Sequence, residues 1–210
     1  MTVHRAPAGF PATLEIDYPD RDLDRLTTFL RPLMAIPIAI ILALVSGPSV
    51  RAGTSNYAVG SGGLVFVPTA LMLLFLQTYP RWWFDWNLAL TRFALRVVAY
   101  LALLRDEYPS TEEEQAVHVS IPYPDAAHAL NRWLPLIKWF LAIPHYVVLW
   151  FLGLAAVCCV IIAWFAILLT GRYPRALFDF VVGALRWLLR VVAYAFLLTT
   201  DRYPPFSLSA

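Results

Sequence analysis

Charge is scarce in this chain. Lys, Arg, Asp and Glu make up 14% of 210 residues, whereas 60% are hydrophobic and the mean hydropathy is +0.64. That balance excludes an ordinary soluble domain and points to an integral membrane protein. A net charge of only +2, with no dense basic cluster, excludes a nucleic-acid partner. Cysteine is nearly absent. Cys158 and Cys159 are neighbours inside an apolar run, where adjacent cysteines rarely pair, and no CxxC accompanies them. HExxH, P-loop and GxSxG motifs are all missing, and no acid–base pair falls within a span. The sequence therefore predicts no catalytic residue, no metal, no cofactor and no enzyme activity. The first 26 residues carry Arg5, Asp17, Asp20, Arg21, Asp22, Asp24 and Arg25 and no apolar core, so no cleavable signal peptide is expected.

What the chain does have is a repeated stretch. Tyr79 opens YPRWWFDWNLALTRFALRVVAYLALLRDEYP, and Tyr173 opens YPRALFDFVVGALRWLLRVVAYAFLLTTDRYP. Both contain Tyr-Pro-Arg, Phe-Asp, two arginines four apart and Val-Val-Ala-Tyr, the mark of an internal duplication. Upstream, Leu14-Glu15-Ile16-Asp17 and Val117-His118-Val119-Ser120-Ile121 alternate apolar with polar, the period of a half-buried strand. Each leads into Tyr-Pro-Asp (Tyr18 and Tyr123), and the two segments are expected to be equivalent and to pair. Residues 27–46 predict a first membrane span, the Gly/Ser stretch 47–63 a loop, and residues 64–78 a short second span. In the second copy, residues 134–170 run nearly uncharged with no loop. As one helix they would measure about 55 Å against roughly 30 Å of hydrocarbon, so a fold back near Gly153 is expected.

Helices 84–104 and 178–198 each gather Asp85, Arg92 and Arg96, or Asp179, Arg186 and Arg190, on one face. Arginine near mid-bilayer costs at least about 2.5 kcal/mol on insertion scales, so an amphipathic helix in the interface is preferred to two further spans. With only the hairpins spanning, every Lys and Arg but Arg51 falls on one side, which the positive-inside rule makes cytoplasmic. Arg92, Arg96, Arg186 and Arg190 are candidate lipid-phosphate or anion ligands, or else simply seat their helices on Asp or backbone carbonyls. Arg31 and Lys138, one turn into their spans, are expected to snorkel to the headgroups. His145 is the one histidine inside an apolar run; it could ligate haem or relay a proton, but a hydrogen-bonded packing role fits better because no second histidine lies at helical spacing. Recurrent Tyr-Pro pairs and tryptophans suit helix boundaries at the headgroup level.

The stretch IPHYVVLWFLGLAAVCCVIIAWFAILLTGRYPRALFDFVVGALRWLLRVVAYAFLLTTDRYPPFSL resembles an uncharacterised bacterial, mainly actinobacterial, integral membrane family, DUF4389-like, over residues 143–208. The resemblance implies a bacterial membrane protein and supplies no activity. In the first copy Ile38 stands where the pattern has histidine, and Gln77-Thr78 where it has Gly-Arg.

The expected fold is an all-α membrane protein of two tandem repeats, each a strand-like lead-in, a transmembrane helical hairpin and an amphipathic arginine-bearing helix. Residues 1–12 are read as a disordered N-terminus, 13–109 as repeat 1, 110–116 as a linker, 117–204 as repeat 2 and 205–210 as a tail. The expected location is the bacterial cell membrane, multi-pass, with both termini and the linker cytoplasmic. The expected function is a non-enzymatic scaffold or accessory subunit whose partners are anionic lipid and a larger membrane complex or a second copy. A small transporter or channel is the alternative, and it requires charges at mid-membrane.

Overall fold

A computed structural model describes residues 9–19, 23–45, 61–110 and 115–209. The loop around Ser55, the acidic linker around Glu112 and residues 1–8 of the expected N-terminal tail lie outside the described residues. Residues 9–12, also assigned to that tail, end on a buried Ala12.

The chain is mostly helical. In order it forms β1 (Thr13–Ile16), α1 (Arg25–Val45), α2 (Ser61–Leu71) with a π-helical turn Met72–Leu76, α3 (Arg81–Leu101), β2 (Val117–Ser120), α4 (Pro135–Leu141), α5 (Ile143–Thr170) and α6 (Arg175–Ala195). Pro80 and Pro174 stand immediately before α3 and α6, where a missing N–H costs nothing. α5 stops at Gly171, whose φ of 76° lets its N–H close on the Ile167 carbonyl at 2.7 Å.

The expected turn at Gly153 does not form. α5 runs unbroken for 28 residues, Gly153 sits in mid-helix with open space around it, and only Ala142 separates α4 from α5. The backbone continues across that residue, since Ala142 N–H bonds to Lys138 and Tyr146 N–H to Ala142. Nothing in 143–170 interrupts the helix: Pro144 is tolerated in its first turn, and the next helix-stopping signal is Gly171. Among the described residues the first half shows no back-folded hairpin either. Ile38 of α1 packs on Phe93 and Val97 of α3, while Thr69 of α2 accepts the Trp83 indole N–H nearer the start of α3. α1 and α2 therefore follow α3 in succession, as α4 and α5 follow α6. Tandem transmembrane hairpins are thus not the architecture. Among the described residues α5 alone is long and apolar enough to cross a membrane.

β1 and β2 pair antiparallel with Leu14 opposite Val119 and Ile16 opposite Val117. Leu14, Ile16, Val117 and Val119 are buried, while Thr13, Glu15, His118 and Ser120 are exposed, as the alternation predicts. Each strand packs on the helix of the other half: β1 on α6 and β2 on α3. The halves are interlocked rather than consecutive. Tyr18 reinforces the exchange by donating to the Tyr173 carbonyl, and Tyr123 by donating to the Tyr79 carbonyl. The ring of Tyr18 lies edge-on to Phe178 with Arg175 above it, and that of Tyr123 lies edge-on to Phe84 with Arg81 above it.

Three layers result. One side of α5 (Ala142 just before it, His145, Ala163, Ile167) is buried, with Ala142 and His145 against α6. The opposite side of α6 holds β1. The remaining surface of α5, facing away from the ribbon, carries Val147, Trp150, Leu154, Ile161, Phe165 and Leu169, all exposed.

Candidate functional site

The four candidate arginines lie on the ribbon side of α3 and α6. Arg92 Nε donates to the Val119 carbonyl at 3.3 Å and Arg186 Nε to the Leu14 carbonyl at 2.9 Å. Those two carbonyls belong to residues that face each other across the ribbon. One turn on, Arg96 Nη1 donates to the Ser110 carbonyl at 2.6 Å. Arg190 Nη1 donates to Ser207 at 3.2 Å, and its Nη2 reaches the Ser209 carbonyl. The guanidinium therefore plays one role four times: it donates to the backbone carbonyl of a strand or loop residue. Arg92 and Arg96 also line a polar cleft of about 420 Å³ with Glu15, Gln115, His118 and Ser120. On α6 the corresponding ground is covered by the C-terminal segment. A Cβ on Gly183 would meet Leu208 Cβ at 3.0 Å, so glycine permits that close approach.

Arg31 and Lys138 do not snorkel. Both are buried, and both turn inward to the end of the neighbouring return helix. Arg31 bonds the Tyr100 and Arg105 carbonyls at 3.2 and 3.0 Å and pairs with Asp106. Lys138 bonds the Thr200 carbonyl at 2.7 Å and pairs with Asp201 at 2.7 Å. Each cation also stands over a tyrosine ring, Tyr100 at 4.6 Å and Tyr194 at 5.2 Å. The physical reason is the helix terminus. α3 and α6 end through Leu103 and Leu198, both at positive φ (62° and 57°), and a cation next to their last carbonyls offsets the negative end of the helix dipole. Sequence reasoning missed Asp106 and Asp201 as partners. The available signal was the Asp two residues before the Tyr-Pro that closes each copy.

His145 is fully buried and packs as a polar core residue. Its Nδ1 accepts the Trp187 indole N–H at 3.0 Å, and its ring stacks on Phe206 at 4.1 Å. That hydrogen bond places the proton on Nε2. Ile38, its counterpart, sits against Phe93 and Val97, which correspond to Trp187 and Val191. At the two Tyr-Pro turns, burial raises both phenols, Tyr79 to about 12 and Tyr173 further, so neither ionises in the physiological range.

Helices dominate, one of them has the length and apolarity of a membrane span, and the rest of the long-helix surface is apolar on the side away from the ribbon. Residues 133–207, from just before α4 to the C-terminal segment, match the model of a domain of unknown function, DUF4389. No curated protein and no solved structure matches the chain.

Proposed function

We propose that the protein is a non-enzymatic, membrane-bound scaffold or accessory subunit of the bacterial cell membrane. The apolar face of its long helices holds it in lipid, and its arginine-seated ribbon is presented to water on the cytoplasmic side. The observation that carries this reading is the one-sided surface of α5. No charged residue lies between Lys138 and Arg172, and most of the exposed side chains along that helix are large and apolar. A monomer in water rarely exposes so much contiguous apolar surface. The matching cation pairs, Tyr-Pro exchanges and arginine seats in the two halves support an internal duplication. A transporter reading draws less support, because the cavity of about 370 Å³ beside α5 is lined by Val, Leu, Ile, Ala and Gly only.

Since the four ribbon arginines are engaged with backbone, contact with anionic lipid falls to other cations. Arg25 and Arg132 occupy corresponding exposed positions near the starts of the two long helical runs, α1 and α4. About 1 kcal/mol per arginine near a charged surface corresponds to roughly fivefold in partitioning. Arg25→Glu with Arg132→Glu is expected to cut co-flotation with phosphatidylglycerol-containing vesicles by at least tenfold, and to leave binding to phosphatidylcholine vesicles unchanged. Equal loss on both vesicles would refute the anionic preference. Failure of the unaltered protein to float with either would refute the membrane reading.

A further inference from the structure

We infer that the long helices lie parallel to the membrane in a single leaflet, so that α5 rests along the bilayer instead of crossing it. The inference rests on the membrane reading and adds the orientation and the depth.

The ribbon decides the orientation. Arg186 holds Leu14, and Arg92 holds Val119, from positions at the middle of two 21-residue helices. α6 runs antiparallel beside α5: Trp187 and Tyr194 near its end pack against Ala142 and the first turns of α5, and its start follows the end of α5 through a four-residue turn. If α5 stood across the bilayer, α6 would stand with it. The ribbon would then sit at the bilayer centre, carrying the exposed side chains of Glu15, Asp17 and His118. Glu15 and Asp17 would each cost about 2.5–3.5 kcal/mol there on insertion scales, and among the described residues no helix covers the outer face of the strands.

Laying the helices flat removes the conflict. Ribbon and apolar face then lie on opposite sides of the α3/α6 layer, one in water and one in acyl chains. The dimensions agree. α5 is about 42 Å long, far more than the roughly 30 Å of a hydrocarbon core, while a helix about 10 Å across fits within one leaflet. Both ends of the long helices carry cations, Arg25 with Arg172 at one and Arg81 with Arg132 at the other. A flat helix sets both ends at headgroup height. The N–H of Leu23, just before α1, bonds to the Gly171 carbonyl, just after α5, so the two long runs are antiparallel neighbours at that end. In a flat molecule these antiparallel runs share one depth. Standing helices would instead give the two halves opposite sidedness.

The test uses full-length protein reconstituted in phosphatidylcholine/phosphatidylglycerol vesicles. Cys158 and Cys159 are replaced by alanine, and cysteines are introduced together at His128→Cys and Thr170→Cys, exposed positions at opposite ends of the α4–α5 run. An impermeant maleimide is added to sealed vesicles, and labels per intact chain are counted by mass spectrometry. Flat helices give chains carrying two labels or none. Chains carrying a single label, reaching two only after detergent, would overturn the inference while leaving the membrane reading intact. Protein that fails to float with the vesicles would overturn the membrane reading itself. Flotation is therefore measured first, on the same sample.

Discussion

Asp201→Ala is expected to destabilise the protein by about 3 kcal/mol, and Asp106→Ala by a similar amount. Lys138 is wholly buried, and its ammonium meets Asp201 and the Thr200 carbonyl, each at 2.7 Å. Deleting the carboxylate leaves that cation with only the Thr200 carbonyl and the face of Tyr194, and it also frees the Asn131 N–H that donates to Asp201 at 2.6 Å. Asp106 has the same two duties, pairing with Arg31 and accepting the Asp24 N–H at 3.1 Å. For a chain of this size the loss corresponds to a fall in thermal midpoint of roughly 6–12 °C, read in mild detergent. Replacing both partners, Lys138→Met with Asp201→Leu, is expected to recover most of the loss, because the cost lies in an unpaired buried charge. A double variant as unstable as Asp201→Ala would show that the pair is needed for its own sake.

The second large effect concerns the ribbon. Arg186→Ala with Arg190→Ala removes the donors to Leu14, Ser207 and Ser209. Hydrogen bonds from a charged donor contribute about 1.5–3 kcal/mol each. Amide exchange in 13–16 and 205–209 is therefore expected to accelerate at least tenfold, with α5 unaffected. Retention on anionic vesicles is expected to stay unchanged, since these guanidinium groups face backbone. Slower flotation with unaltered exchange would instead return these arginines to lipid binding. A two-stranded ribbon has little stability alone, so its dependence on the arginines is physically reasonable.

Period and chemistry make part of this structure legible in the sequence. Alternation in 13–17 and 117–121 identified two strands and which residues they bury, because one face of a strand must be apolar. The shared face of Arg92 and Arg96 showed that α3 has a polar side. The error at Gly153 came from applying the bilayer thickness as a limit on helix length, which holds only for a helix that stands upright. α5 is longer than the hydrocarbon and runs as one continuous helix, and nothing local to Gly153 demands a turn. Arg31 and Lys138 were misplaced for another reason. Hydropathy reports a charge one turn into an apolar run but carries no information on an aspartate 75 residues away, as Asp106 is from Arg31. The crossing of Tyr18 to Tyr173 and Tyr123 to Tyr79 was equally hidden, since internal identity matches positions without saying which half each one touches.

Depth along α5 tests the central claim most directly. Single cysteines at Val147, Leu154, Ile161 and Phe165, in a background lacking Cys158 and Cys159, present four exposed sites spread over the helix. A nitroxide at each site, read by relaxation from oxygen and from a water-soluble nickel complex, reports its distance from the headgroups. The account predicts one depth for all four, within the acyl region of a single leaflet. A helix crossing the bilayer would instead change depth by about 1.5 Å per residue, with its middle sites deepest and position 165 back towards the headgroups, and that profile would contradict it.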